Sequence, residues 1–150
     1  MTIPLIGEDY RGAGGNIGYL LRQVWHTFRV ALDAALREHG LSGPQYSALS
    51  VLRREPGASG ADLARACNTT PQAMTGVIEG LERQGLVERR PHPTHGRILQ
   101  AYLTDEGGKR VKAATPAVRR VEAALEEGLA GAELATVKEW LAASAVRLDA

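Results

Sequence analysis

Apolar residues along this chain recur mostly at three- and four-residue steps, and only one short stretch alternates at two. Ile17, Leu20, Leu21, Val24, Phe28, Leu32, Ala35 and Leu36 form one stripe, over about five helical turns. The stripe predicts a long amphipathic helix from Asn16, ending at Gly40, a favourable residue just past a helix C-terminus. Tyr46, Leu49 and Leu52 line one face of a second helix. Ser42 and Gln45 fit a capping box, and Pro44 is tolerated in a first turn, where its missing N–H needs no partner. Pro56-Gly57 then stops that helix.

Ser59 and Asp62 predict a third helix start, with Leu63, Ala64 and Cys67 facing inward. Asn68-Thr69 makes a turn, Thr70 is a good N-cap and Pro71 occupies the first helical position. Met74, Val77, Ile78 and Leu81 give the i, i+3, i+4, i+7 stripe of a fourth helix, closed by Gly85. Leu86 to Glu88 reads as a short strand. Arg97 to Leu103 reads as a second, with Leu99, Ala101 and Leu103 alternating against Ile98, Gln100 and Tyr102. The intervening RRPHPTHG carries two prolines and a glycine without hydrophobic period, as expected of the loop of a hairpin.

Thr104, followed by Asp105 and Glu106, caps a further helix and puts acids at its positive end. Val111, Ala114, Val118, Val121, Leu125 and Leu129 continue its stripe, with a bend expected at Pro116. Gly128 and Gly131 bracket a break. A last helix carries Leu134, Val137, Leu141, Ser144 and Leu148 on one face. Residues 1–14, rich in glycine, are expected to form a loose or partner-dependent arm. The predicted fold is mainly α with a small β-hairpin wing: a winged helix-turn-helix at 41–104 within a single domain, 1–150. Residues 15–40 and 105–150 form a helical dimerisation region.

Composition changes this picture little. Apolar residues make up 44%, charged residues 23% and aromatics 5%, ordinary for a soluble helical domain. Net charge is +1, but its distribution is uneven. Residues 41–104 carry seven basic and five acidic side chains, against four and four before them and seven and eight after. The middle third is therefore weakly basic. One cysteine, Cys67, excludes an intramolecular disulfide and a thiolate metal cluster built by one chain. No apolar run approaches the ~20 residues of a membrane span, and the N-terminus has no basic start or long apolar centre, so the expected location is the cytoplasm.

The candidate chemistry is recognition. The stripe on the fourth helix leaves Gln72, Ala73, Thr75 and Gly76 on the outer face near its N-terminus, where short side chains let a helix approach base edges. Thr70 is both cap and candidate contact. Arg97, at the hairpin tip, suits a minor groove, whose negative potential draws arginine. Arg89 and Arg90 are candidates for phosphates, although paired arginines at a strand end are often only solvated. Cys67 reads as a buried structural thiol. His26, His39, His92 and His95 have no Glu/His partners at metal-binding spacing, and no cofactor is implied. A glycine-rich phosphate loop, a G-x-S-x-G elbow and paired cleft acids are all missing from the sequence, so an enzyme is not expected.

The stretch ADLARACNTTPQAMTGVIEGLERQGLVERRPHPTHGR resembles the core of the MarR family, with its "LA" helix, Ser/Thr-rich recognition helix and "LE-x-x-G-L-V-x-R". Arg97 and the pair Leu103-Thr104 fall at the spacing of the family's wing, and LSGPQYSALSVL is similar to the helix that precedes the motif. The departure is His95, where the family usually has an Asp able to pair with a neighbouring arginine. His95 lacks that fixed negative charge. The resemblance implies double-stranded DNA as partner, a homodimer, and a pocket for a small aromatic or phenolic anion beside Trp25, His26, Phe28 and Tyr46. For each of these four a core or interface role competes. The expected function is a ligand-responsive transcriptional repressor on a pseudo-palindromic operator. The alternative is a winged-helix protein-interaction module without specific DNA binding.

Overall fold

Each capping motif in the sequence starts a helix in the computed structural model, which describes residues 2–149. Met1 and Ala150, the end positions of the expected domain, lie outside the described residues. Helix α1 spans Ile17–Leu36 and tightens into a 3-10 turn at Arg37–His39, after which Gly40 adopts φ 65°. Helix α2 spans Gly43–Arg54 behind a capping box in which Ser42 Oγ accepts from the Gln45 N–H and Gln45 Oε1 accepts from the Ser42 N–H. The same reciprocal arrangement of Ser59 and Asp62 starts α3, Gly60–Ala66. The Ser59 backbone N–H and hydroxyl, with Arg65 beyond them, hold the Asp62 carboxyl below its ordinary range. Helix α4 spans Pro71–Arg83, with the Thr70 hydroxyl accepting from the Ala73 N–H.

Strands β1 (Val87–Pro91) and β2 (Leu99–Leu103) pair antiparallel, with Val87 opposite Leu103 and Pro91 opposite Leu99. The hairpin is therefore longer on its first arm than the expected strand ending at Glu88, and shorter on its second. Backbone pairing carries β1 past the last apolar residue, through Arg89 and Arg90, which hydrophobic alternation cannot mark. A third edge was not legible at all. The Gly57 N–H donates to Ala101 O, the Ala101 N–H donates to Ala58 O, and Ser59 bridges Gln100. Helices α5 (Asp105–Leu125) and α6 (Ala132–Leu148) complete the chain, and α5 continues through Pro116.

The core sits between α2, α3, α4 and the sheet. Leu49, Leu52, Leu63, Met74, Ile78, Leu81 and Leu86 are essentially inaccessible to water, joined by Leu36, Val111 and Ala114. Burying a Leu or Ile side chain stabilises by roughly 1.5–3 kcal/mol, so this cluster dominates the stability of the winged helix-turn-helix, the expected reading unit. Thr104 ties α5 to it, accepting from the Gly107 N–H and donating to Gly85 O at 2.6 Å. Gly107 lies so close to the residue before β1 that a Cβ there would stand 2.0 Å from Leu86 O.

The helical base is different. Helix α6 buries none of its residues, and on α1 only Leu36 is buried. Ile17, Leu21 and Val24 of the α1 stripe are exposed, as are Trp140 and Leu141 of α6. Ile17, Leu20, Leu21, Val24 and Trp140 together line an open apolar groove of about 450 Å³. The N-terminal arm is more ordered than its glycine content predicts. Arg11 donates to Pro4 O and to Gln23 of α1, while the Gln23 side chain donates back to Arg11 O. These bonds supply the order that local propensity does not.

Candidate nucleic-acid interface

Helix α4 turns its apolar stripe inward and leaves Gln72, Ala73, Thr75 and Gly76 exposed on the opposite face. A Cβ added at Gly76 would meet nothing within 4 Å, so this part of the helix surface is open. Thr70 and Thr75 are partly committed: Thr70 caps the helix, and the Thr75 hydroxyl donates to Pro71 O at 3.0 Å. Gln72 has no hydrogen-bond partner among the described residues, so both ends of its amide are free for a ligand. The α4 N-terminus also presents the partial positive charge of unpaired backbone N–H groups.

The adjacent arginines of β1 point to opposite faces of the hairpin, as the pleat requires. Arg89 turns toward α4, is mostly buried, and pairs with Glu82 at 2.9 Å. It pins the wing to the fourth helix and is not presented outward. Arg90 lies on the outer face, paired with Glu88 and stacked 4.4 Å over the Tyr102 ring. Both cations are thus already partnered within the chain.

The wing tip is a tight loop closed by His92 N–H donating to Ile98 O and Ile98 N–H donating to His95 O. His92 organises it: its Nδ1 accepts from the backbone N–H groups of Thr94 and His95. This role was missed because a histidine between two prolines gives no periodic signal. His95 is exposed, its ring 5.1 Å from that of His92, and no hydrogen bond joins it to Arg97 among the described residues. Arg97 is exposed and free of any ion pair among those residues.

The four residues expected around a small ligand do not converge. Trp25 borders a cavity of about 230 Å³ between α1, α2 and the turn joining α3 to α4. His26 faces another hollow, against Ile6 and Tyr19. Tyr46 faces α5, its hydroxyl 3.1 Å from Thr115 Oγ1. Phe28 is half-buried and packs 6.2 Å from the Trp25 ring. Trp25 and His26 are neighbours in sequence, so they leave α1 about 100° apart, and Tyr46 of α2 turns to α5 instead. The cavity beside Trp25 gathers Arg29, Leu32, Pro44, Ser47, Cys67 and Met74 instead. Burial pushes the Cys67 thiol up, so it stays protonated at neutral pH.

Comparison with known proteins agrees with this geometry. A sequence model described as the MarR family matches residues 39–98. An HTH-type transcriptional repressor of Mycobacterium tuberculosis is 41% identical over 107 residues, covering 71% of this chain and 77% of the relative. Among solved structures, the S. aureus MepR–DNA complex superposes with a TM-score of 0.81 at 25% identity, covering 89% of this chain and 98% of that one. CouR from Rhodococcus jostii, bound to p-coumaroyl-CoA, superposes with a TM-score of 0.76 at 25% identity, covering 84% and 88%.

Proposed function

This chain belongs to the MarR family, and from that premise we propose a homodimeric, DNA-binding transcriptional repressor released from its operator by a small-molecule effector. The observation that carries the DNA reading is an open, uncommitted α4 face beside a wing arginine that no carboxylate neutralises. Gln72, Ala73 and Gly76 would approach base edges, with Thr70 and Thr75 at the rim. Arg97 would enter the minor groove flanking the α4 site, with His95 beside it. Arg89 is reassigned from phosphate contact to wing support, and Arg90 reaches a phosphate only by exchanging Glu88 for it.

The exposed stripes of α1 and α6 support a dimer made by residues 15–40 and 105–150, since apolar surface of that extent is usually covered by a partner. A two-fold dimer sets two α4 helices about one DNA turn apart, hence a pseudo-palindromic operator. The apolar cavity beside Trp25, with Arg29 at its edge, suits an aromatic anion. It touches α1 of the base and the turn that enters α4. An effector there acts by binding one spacing of the two α4 helices better than the other. No helix among the described residues is long and apolar enough to cross a membrane, and a repressor of this kind works in the cytoplasm.

Fluorescence anisotropy with DNA from immediately upstream of the gene, against a scrambled duplex over a salt series, tests the reading. We expect saturable binding to the upstream duplex at least about 1,000-fold tighter than to the scrambled one. Absence of binding to either duplex, even at low salt, would favour the protein-interaction alternative.

A further inference from the structure

Helices α2 and α5 enclose a second, polar cleft that neither the DNA-reading face nor the cavity beside Trp25 uses. On α2, Tyr46, Ser50 and Arg53 recur at i, i+4 and i+7, the spacing of one helix face. Thr115 and Arg119 recur at i, i+4 on α5. These residues and Arg54 line a cleft of about 350 Å³. Leu49 and Leu52, a step further round α2, are buried in the core, against which Tyr46 also packs.

At one end the helices are joined. The Thr115 hydroxyl donates to Val111 O at 2.8 Å, so the 3.1 Å contact with Tyr46 is made by the tyrosine hydroxyl donating. The cleft is also lined by Ser50 and by Arg53, Arg54 and Arg119, none of which has an acidic partner among the described residues. Arg53 and Arg54 have a simpler use, since cations in the last turn of α2 offset its dipole. Arg119 has none, standing well inside α5 and on the other wall. The three guanidinium groups are exposed to solvent and together concentrate positive charge around one space, which favours an anion there.

We propose that this cleft binds a small phosphorylated anion. Guanidinium forks match phosphate oxygens in geometry and charge, and a volume of about 350 Å³ admits a phosphate ester but not a polymer. Because α2 belongs to the reading unit and α5 runs from it into the helical base, the bound anion clamps the two together. The site stands on its own geometry, so its failure would leave the DNA reading untouched.

Isothermal titration of the full-length protein with inorganic pyrophosphate, at constant ionic strength, tests it. The expected result is saturable binding weakened about tenfold or more by Arg119→Gln and by Arg53→Gln, and unchanged by Arg97→Ala. Circular dichroism checks that each variant keeps its helices. A second arm separates free ligand from the DNA backbone as the source of the phosphate. Unchanged duplex affinity in Arg119→Gln assigns the cleft to a free ligand. Loss of duplex affinity with a smaller salt slope, and displacement of duplex by pyrophosphate, would overturn the small-anion proposal by placing these arginines on the DNA backbone. Pyrophosphate binding that is absent, non-saturable or insensitive to both arginine substitutions would overturn the proposal.

Discussion

Arg97 and Arg89 show how far residue identity and residue role can separate. Both are arginines of one hairpin, yet Arg89 is locked to Glu82 while Arg97 stands free at the tip. A free cation near a phosphate backbone releases counterions on binding; a paired one mostly exchanges partners. Arg97→Ala should therefore weaken operator binding and lower the slope of log affinity against log salt by about 1. Anisotropy titrations at several salt concentrations measure both, and an unchanged affinity and slope would remove Arg97 from the interface. The caps at Ser42, Ser59, Thr70 and Thr104 were legible because each depends on a partner three residues away. The opposite directions of Arg89 and Arg90 were not, because they depend on strand register.

At the scale of the element, α4 is the part most fully written in the sequence. Its cap, its first-turn proline and its inward stripe all agree, and the structure keeps each of them. That agreement makes the outer face predictable by subtraction. Gln72 occupies it with its amide unengaged, so Gln72→Ala should alter preference among operator variants rather than affinity in general. A bidentate amide–adenine pair discriminates by about 1–3 kcal/mol. Competition among single-base operator variants reads this, and equal losses across all of them would make Gln72 a positioning contact. The wing is the converse case. Its boundaries follow backbone pairing to β2 and the turn held by His92, neither of which has a hydrophobic period.

For the whole molecule, a well-buried reading unit is joined to helices whose apolar faces remain open. Leu63, Met74 and Leu81 are shut off from water, whereas Trp25 is 59% exposed and Leu148 85% exposed. A single chain leaves this second set in water, where each large side chain loses the benefit of burial. Removal of residues 130–150 should therefore yield monomers or aggregates on sedimentation analysis. A clean dimer of wild-type affinity would show that α6 is not the interface.

The sequence by itself determined the order of the helices, their caps, the turn between α3 and α4 and the face that α4 leaves outward. All of these rest on contacts within about one helical turn, which spacing records directly. Only the tertiary structure decided which arginine is neutralised and which expected pocket residues meet. It also gathered Cys67 and Met74 beside Trp25, and Arg119 opposite Arg53, from segments far apart in the chain. Such convergences depend on the packing of whole helices, and no local pattern encodes the angle at which one helix meets another.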